Sequence, residues 1–138
     1  MATDTLILMV GLPKSGKSYW AKQRSFPIVN RDAIRLALHG QAYIQDAEPM
    51  VSTIEKYMVK SLFLAGHDTV IVDATHVKQA YRDRWVSKDW KLCYKFIDTP
   101  VKKCIENAKL LDRHDLIPII QRMNLESEFD SLSNMVPY

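Results

Sequence analysis

The chain has 138 residues, of which 47% are hydrophobic and 25% are charged, and its formal net charge is +3. These are ordinary globular values, and they exclude a disordered tail, a collagen-like rod and a disulfide scaffold. The length predicts a single domain over residues 1–138 that buries its core without covalent staples.

Neither a membrane span nor a secretory signal is predicted. No apolar run approaches the roughly 20 residues that a span needs, and no basic region precedes the first apolar run. Cys93 and Cys104 are 11 positions apart, which is neither a redox-pair nor a zinc spacing. We therefore predict a reduced protein of the cytoplasm, or of the host cytoplasm if the chain is viral, without a structural metal. The sequence gives no indication of the oligomeric state.

Short apolar runs alternate along the chain with segments of helical periodicity. Apolar runs of this length that end at glycine, asparagine or aspartate are typical of buried parallel strands. In chain order we predict a strand at 5–10, a helix from 16, a strand at 27–29, a helix at 32–38, a loop at 39–46, a helix at 48–65, a strand at 69–72, a helix at 78–88, a strand at 91–97, and helices at 101–111 and 117–129. Asp32 is expected to cap the second helix, and Pro137 and Tyr138 are expected to fray.

This alternation predicts an α/β protein, a three-layer sandwich with a mostly parallel sheet of about four to five strands. In such sheets, ligands bind beyond the carboxyl ends of the strands. Gly11, Asn30 and Asp73 each follow directly on a predicted strand. The sequence therefore places these three residues at one edge of the sheet, around one crevice.

Residues 11–18 carry a nucleotide-binding motif, which we call the phosphate loop. Their sequence, Gly-Leu-Pro-Lys-Ser-Gly-Lys-Ser, matches G-x-x-x-x-G-K-[ST] at every fixed position, between a predicted strand and a predicted helix. The glycines let the backbone point its N–H groups inward, and the helix adds its positive N-terminal end. The motif lysine places a cation on the β- and γ-phosphates, and the serine hydroxyl is a ligand for Mg²⁺. The predicted nucleotide-binding residues are Gly11, Lys14, Ser15, Gly16, Lys17 and Ser18.

A phosphate loop serves switches, motors and phosphoryl-transfer enzymes alike. The chain has no Asn-Lys-x-Asp run for guanine recognition and is short for a motor ATPase, so a small kinase is the simplest prediction. Such a kinase needs a carboxylate near the acceptor hydroxyl and a cation near the transferred group. Asp32 and Arg35 supply both, unless Asp32 is only a helix cap and Arg35 its ion-pair partner. Asp73 either ligates Mg²⁺ or caps a turn.

Several stretches resemble a known family. Residues 11–21, residues 29–32 with Arg35, and residues 71–75 are similar in order and spacing to the kinase domain of bacteriophage polynucleotide 5′-hydroxyl kinase and to related small P-loop (AAA-like) nucleic-acid kinases. The match over residues 104–118 is weaker. The Asn-Arg-Asp-x-x-Arg piece is more specific than the phosphate loop, which many proteins share. The resemblance implies a three-layer P-loop kinase fold with a short helical lid.

The resemblance also implies a role for each matched residue. Lys17 and Ser18 would hold the phosphates of ATP and Mg²⁺, with Asp73 as a second metal ligand. Asp32 would be the general base on the acceptor hydroxyl, and Arg35 would contact a phosphate beside that hydroxyl. Asp73 would position the acceptor side of the site, or position Arg35 through a hydrogen bond.

The lid departs from the family pattern. The family places an arginine beside the lid asparagine, where this chain has Glu106 before Asn107. Arg113 is the nearest arginine and requires a slightly longer lid, and Lys109 is the second candidate. An arginine on the leaving phosphates is worth about 10³ to 10⁵ in rate in related systems. His76, a lone loop histidine, is expected to be solvated, with substrate contact as the alternative.

The sequence leaves the acceptor open. Residues 78–103 hold eight basic and three acidic residues, which suits a polyanionic partner or, alternatively, describes only a solvated surface. We predict ATP-dependent transfer to a hydroxyl of a nucleic acid, most simply the 5′-hydroxyl of DNA or RNA. The alternatives are a hydroxymethylated pyrimidine such as 5-hydroxymethyluracil in phage DNA, a small-molecule acceptor, and a nucleotide-binding switch.

Overall fold

Among the described residues, five parallel strands form one sheet. The computed structural model describes residues 3–40 and 43–138, so residues 41 and 42 of the predicted loop at 39–46 lie outside it. The strands are β1 (Thr5–Val10), β2 (Ile28–Asn30), β3 (Thr69–Asp73), β4 (Lys91–Phe96) and β5 (Val136–Pro137), in the spatial order β2-β3-β1-β4-β5. Every neighbouring pair is parallel. The predicted α/β class with a mostly parallel sheet is confirmed.

Helices connect the strands and cover the sheet. They are α1 (Lys17–Lys22), α2 (Arg31–His39), α3 (Glu48–Leu64), α4 (Gln79–Asp83), α5 (Val101–Leu110) and α6 (Ile117–Glu126). Short 3₁₀ turns lie at Gln45–Ala47, His114–Leu116 and Phe129–Asn134. None of the helices in the described residues combines the length and the apolar character that crossing a membrane requires.

The central strand β1 separates two layers of the core. Its residues 6–10 are fully buried, because helices cover both faces of a parallel sheet. Successive side chains of a strand point to opposite faces. Accordingly, Leu6 and Leu8 pack with α3 on one face, and Ile7 and Met9 pack with α1 on the other. A third cluster joins the start of the phosphate loop to α5 and α6.

The predicted helix at 78–88 is wrong beyond its first turns, because α4 ends at Asp83. Trp85 and Trp90 are both buried in the core. The indole N–H of Trp90 donates to the carbonyl of Trp85 at 2.7 Å. In a continued helix, that carbonyl would accept a backbone N–H one turn later. Packing of the two tryptophans therefore replaces the second half of the predicted helix.

The prediction that the chain end frays is also wrong. Strand β5 pairs with β4, and the N–H of Tyr138 donates to the carbonyl of Tyr94 at 2.8 Å. The ring of Tyr138 packs edge-on against Trp20 and Phe26, with centroids 5.8 and 6.5 Å apart. Aromatic contacts of this kind outweigh the usual mobility of a terminus.

Candidate active site

The carboxyl ends of three neighbouring strands meet at one edge of the sheet. Asn30 ends β2, Asp73 ends β3, and the two residues are partners in the strand register. Gly11 directly follows β1, and its N–H donates to the carbonyl of Thr75, just past β3, at 3.0 Å. The three residues that the sequence placed around one crevice are therefore brought together at the edge where parallel sheets bind ligands.

The phosphate loop adopts backbone conformations that most side chains disfavour. Gly11 and Gly16 have φ values of 156° and 102°. A Cβ on Gly11 would lie 2.9 Å from Ser15 Oγ and 3.0 Å from the carbonyl of Ile97, so a larger residue would push the neighbouring backbone away. Lys14 has a φ of 63°, a left-handed conformation that costs an L residue about 1–2 kcal/mol. The backbone of this loop is therefore held in place by its surroundings.

Lys17 is the buried cation of the phosphate loop. The residue is 8% exposed, and its Nζ donates to the carbonyl of Leu12 at 2.8 Å. Burial lowers the pKa of Lys17, and the negative charges of Asp73 and Asp32 oppose that shift. Both candidate carboxylates therefore act electrostatically on the same ammonium group.

Asp73 joins the phosphate loop to strand β2. Its Oδ2 accepts hydrogen bonds from Ser18 Oγ at 2.7 Å and from Asn30 Nδ2 at 3.1 Å. Asp73 is buried, and a buried carboxylate requires such donors. The hydrogen bonds of Arg35 go to other carboxylates. The alternative in which Asp73 positions Arg35 through a hydrogen bond is therefore wrong.

Asn30, and not Asp32, caps helix α2. The Asn30 side chain accepts the N–H of Ala33 at 2.8 Å, so the predicted cap at Asp32 is wrong. Asparagine is among the preferred cap residues, and Asn30 has the extended backbone that a cap needs. Asp32 lies in the first turn of α2 with its side chain 74% exposed. Its carboxylate is accessible and has Arg35 as its partner, at 2.7 Å.

Arg35 is held by two carboxylates at once. Its Nε and Nη2 donate to the two oxygens of Glu48, the former at 3.0 Å, and its Nη1 donates to Asp32. Although burial acts to lower the pKa of Arg35, the bonds to Glu48 and Asp32 raise it. A bidentate arginine–carboxylate pair of this kind fixes the plane of the guanidinium. Arg35 is thus oriented by a residue that the sequence analysis did not single out.

A second arginine extends this network into helix α3. Arg31 donates to Glu55 at 2.8 Å, to Ser52 at 2.9 Å and to Glu48 at 3.3 Å. Burial acts to raise the pKa of Glu48, but the charges and hydrogen bonds of Arg35 and Arg31 hold it below its usual range. Burial raises the pKa of Glu55 despite the nearby arginine. The three α3 residues lie four and three positions apart on one face of the helix, a polar stripe that the search for apolar periodicity missed.

Arg113, the predicted lid arginine, lies just beyond α5 and is ion-paired on the surface. It donates to the two oxygens of Asp115 at 3.0 and 3.1 Å, and its side chain is 45% exposed. The hydrogen bond to Asp115 raises the pKa of Arg113, and the charge of Asp32 adds to that shift. Lys109, the second candidate, is exposed on α5. Neither side chain makes a hydrogen bond to the phosphate loop.

His76 is buried, so the expectation of a solvated histidine is wrong. It is 4% exposed, and its Nδ1–H donates to the carbonyl of Met9 at 2.7 Å. Burial lowers the pKa of His76 to about 4. The ring therefore supports the end of β1, next to the phosphate loop, and the alternative of a substrate contact does not fit its position.

The basic stretch at 78–103 does not form one surface. Arg82 is 1% exposed and donates to the carbonyls of His76 and Glu128 at 2.7 and 2.8 Å. Lys91 begins β4 beside Thr5, at the sheet edge opposite to the phosphate loop. The number of basic residues in this stretch therefore overstates the positive charge that one surface presents.

The donor set at this edge fits a nucleoside triphosphate with Mg²⁺. The Ser18 hydroxyl and the Asp73 carboxylate are adjacent oxygen atoms, the ligands that Mg²⁺ prefers. The buried hydroxyl of Ser15 has no hydrogen-bond partner in the described residues. Residues 3–40 and 43–138 contain no group of three or more His, Cys, Asp or Glu placed to hold a metal, so Mg²⁺ here would also need phosphate and water oxygens. Cys93 and Cys104 are free and buried.

The sequence comparisons point to one family. The chain matches the family described as AAA domain over residues 6–106. That match covers more than half of the chain and includes the phosphate loop, Asp32, Asp73 and the first part of α5. A comparison with curated proteins gives no match.

The chain is also similar to solved structures. A chain of the Pnkp1/Rnl/Hen1 complex is 26% identical with a TM-score of 0.68, over 77% of this chain and 39% of that chain. A chain of the Pnkp1/Rnl/Hen1 RNA repair complex is 18% identical with a TM-score of 0.69, over 94% and 48%. A gluconokinase from Sinorhizobium meliloti 1021 is 20% identical with a TM-score of 0.51, over 88% and 74%. This chain thus spans less than half the length of the first two, and the expected P-loop kinase fold is confirmed.

Proposed function

We propose that this chain, which belongs to the AAA domain family, is an ATP-dependent kinase that phosphorylates a hydroxyl of a nucleic acid, most simply the 5′-hydroxyl of DNA or RNA. One observation carries the proposal. Asp73 accepts hydrogen bonds from Ser18 of the phosphate loop and from Asn30, the cap of α2, and the first turn of that helix carries the exposed carboxylate of Asp32. A candidate base and the phosphate loop therefore share one crevice.

The donor side would hold ATP with little movement. The N–H groups of the phosphate loop would bind phosphate oxygens, and Lys17 would exchange the Leu12 carbonyl for the β- and γ-phosphates. Ser18 and Asp73 would hold Mg²⁺, which supplies charge neutralisation between the phosphates when it is bound. Arg113 would leave Asp115 to neutralise charge on the leaving phosphates.

The acceptor side would activate and orient the hydroxyl. Asp32 would take the proton from the acceptor oxygen onto its carboxylate, which is held in place by a hydrogen bond from Arg35. A guanidinium has five N–H donors; with three in bonds to Glu48 and Asp32, two remain for a phosphate next to the acceptor hydroxyl. Glu48 keeps the guanidinium in place during this contact.

The charges on the acceptor side of the crevice also favour a second candidate acceptor. The five charged residues Arg31, Asp32, Arg35, Glu48 and Glu55 hydrogen-bond to one another. Two arginines face three carboxylates, so the acceptor side has no formal surplus of positive charge to bind an adjacent phosphate. An alcohol carried on a base, such as 5-hydroxymethyluracil in phage DNA, would need no phosphate at Arg35. Either reaction would take place in the cytoplasm, of the host if the chain is viral.

The experiment uses γ-labelled ATP, Mg²⁺ and a panel of acceptors. The panel holds 5′-hydroxyl DNA and RNA oligomers, end-blocked DNA with internal 5-hydroxymethyluracil, free nucleosides and gluconate. Label on the 5′-hydroxyl oligomers is the expected result, and label on the end-blocked DNA alone would move the acceptor to the base. Label on only the small molecules, or on no acceptor, would refute a nucleic-acid acceptor. Lys17→Ala is the control, because it should lose transfer to every acceptor.

A further inference from the structure

We propose that Thr99 and Asn107 are positioning residues that aim two peptide groups of the phosphate loop. The inference rests on the proposed binding of ATP to that loop. Thr99 Oγ1 donates to the carbonyl of Ser15 at 2.7 Å, and Asn107 Nδ2 donates to the carbonyl of Lys14 at 3.0 Å. Both residues lie outside the motif, one between β4 and α5 and the other on α5.

Because a peptide group is planar, these two contacts to carbonyls also fix the direction of the N–H groups in the loop. A peptide group is planar, and in its trans form the carbonyl and the N–H point in opposite directions. When Thr99 holds the Ser15 carbonyl on the outside, the N–H of Gly16 is directed to the opposite side, the interior of the loop. The bond from Asn107 acts in the same way on the next peptide group toward the N-terminus. There the N–H of Ser15 donates to the carbonyl of Leu12 at 3.2 Å, the same carbonyl that binds Lys17.

The two peptide groups lie beside residues whose own backbone preferences do not maintain the observed conformation. Gly16, at φ 102°, has no side chain to restrict rotation, and Lys14, at φ 63°, is in a conformation that it disfavours by itself. Thr99 and Asn107 are both half-buried, so water does not freely replace their hydrogen bonds.

Packing also fixes the segment that carries Thr99 and Asn107 against the phosphate loop. Cys104 and Ala108 of α5 lie in one buried cluster with Leu12. The Ile97 carbonyl, two residues before Thr99, approaches the position of a Cβ on Gly11 to 3.0 Å. Both side chains therefore rest on a rigid support, as positioning residues require.

Thr99→Val and Asn107→Leu test the proposal, because each removes a donor with little change in size. Calorimetric titration with ATP and Mg²⁺ should show affinity weakened about tenfold in each variant, the worth of one partly buried hydrogen bond. The KM for the acceptor should stay at the wild-type value. Thr99→Ser retains the hydroxyl and should restore the affinity. Thr53→Val is the matched control, since Thr53 donates to the carbonyl of Pro49 in an exposed turn of α3.

Folded Thr99→Val and Asn107→Leu proteins that bind ATP as tightly as Thr53→Val would overturn the proposal, and so would a Thr99→Ser protein as weak as Thr99→Val. Thermal unfolding checks that each variant is folded. Where Thr99→Val is not, Asn107→Leu alone decides. The titration needs no acceptor, so a failure to phosphorylate any acceptor would refute the proposed function without touching this result. Wild-type protein that binds no ATP would overturn both.

Discussion

The two sides of the crevice are built in different ways. The donor side is the phosphate loop, whose carbonyls accept hydrogen bonds from Lys17, Thr99 and Asn107. The acceptor side is a network of charged side chains contributed by α2 and α3: Arg31, Asp32, Arg35, Glu48 and Glu55. One side is shaped by backbone geometry, and the other is shaped by the balance of charge.

This difference predicts different sensitivities. Hydrogen bonds to backbone carbonyls are short-range and insensitive to ionic strength, whereas a charge network that reaches the surface at Asp32 is partly screened by salt and responds to the loss of a single charge. Changes on the donor side should therefore alter ATP binding, and changes on the acceptor side should alter the acceptor KM or the transfer step. Variants that mix these effects would show that the two sides are not independent.

The largest expected effect comes from the lid, whose arginine would act on the leaving phosphates during transfer. Arg113→Ala should lower kcat by about 10³ to 10⁵, the worth of an arginine on the leaving phosphates. Single-turnover transfer measures it. Lys109→Ala, on the same lid, is the control and should stay near wild type. The opposite pattern would assign the role to Lys109, and a small effect in both would remove the lid cations from the transfer step.

Asp32→Asn is the sharpest test of the acceptor side. If Asp32 is the general base, the amide should lower kcat by about 10² to 10⁴. ATP affinity should change far less than kcat, because Asp32 makes no hydrogen bond to the phosphate loop and acts on Lys17 only through its charge. Asp130→Asn, an exposed carboxylate in the C-terminal 3₁₀ turn, should change neither quantity. A normal transfer rate in Asp32→Asn would remove this residue from the mechanism.

The sequence predicted the donor side better because that side is local. The phosphate loop occupies eight consecutive positions whose residue types are each fixed by backbone geometry. Strands β1 and β3 were also predictable, since each is a short, almost entirely apolar run that becomes buried. Asn30 at the end of β2 and Asp73 at the end of β3 were placed correctly at one edge of the sheet by topology alone.

The acceptor side was harder because its contacts join distant segments. Glu48 lies 13 positions from Arg35, and no periodic pattern of apolar residues indicates that pair. The polar stripe at Glu48, Ser52 and Glu55 was the available signal, because charged residues on a buried helix face require partners. His76 was mispredicted for a similar reason: its burial depends on how the chain after β3 crosses the end of β1.

The stability of the protein should depend on pH through His76, which supports the end of β1 beside the phosphate loop. Burial lowers the pKa of His76 from 6.5 to about 4. Above pH 6.5 the ring is neutral in both the folded and the unfolded chain. Between pH 6.5 and 4 the unfolded chain binds a proton that the folded chain does not. The free energy of unfolding should therefore fall as the pH falls, by up to about 3 kcal/mol from this group.

The contribution of His76 is isolated by measuring the free energy of unfolding against pH for the wild type and for His76→Gln and taking the difference. In His76→Gln the part of the slope between pH 6.5 and 4 that belongs to the ring should vanish, while carboxylates such as Glu48 contribute equally to both proteins. His67→Gln, at an exposed position, should retain the wild-type slope. NMR titration of the wild-type ring gives the same answer without a variant, and a ring that titrates near 6.5 would contradict its burial.

The smallest expected effect, Glu48→Gln, tests the charge balance of the acceptor side. The substitution retains an oxygen for Arg35 but removes one of the three carboxylates of the network, so a phosphate-bearing acceptor should bind more tightly. We expect its KM to fall about threefold at low salt and the effect to fade at high salt, as for partly exposed charges. Asp130→Asn is the matched control, because it removes an exposed carboxylate that lies outside the network. A Glu48→Gln protein with a higher KM and a lower kcat for every acceptor would mean that orientation of Arg35, more than its charge, decides the acceptor side. In that case both sides of the crevice would depend on geometry, and the contrast between them would disappear.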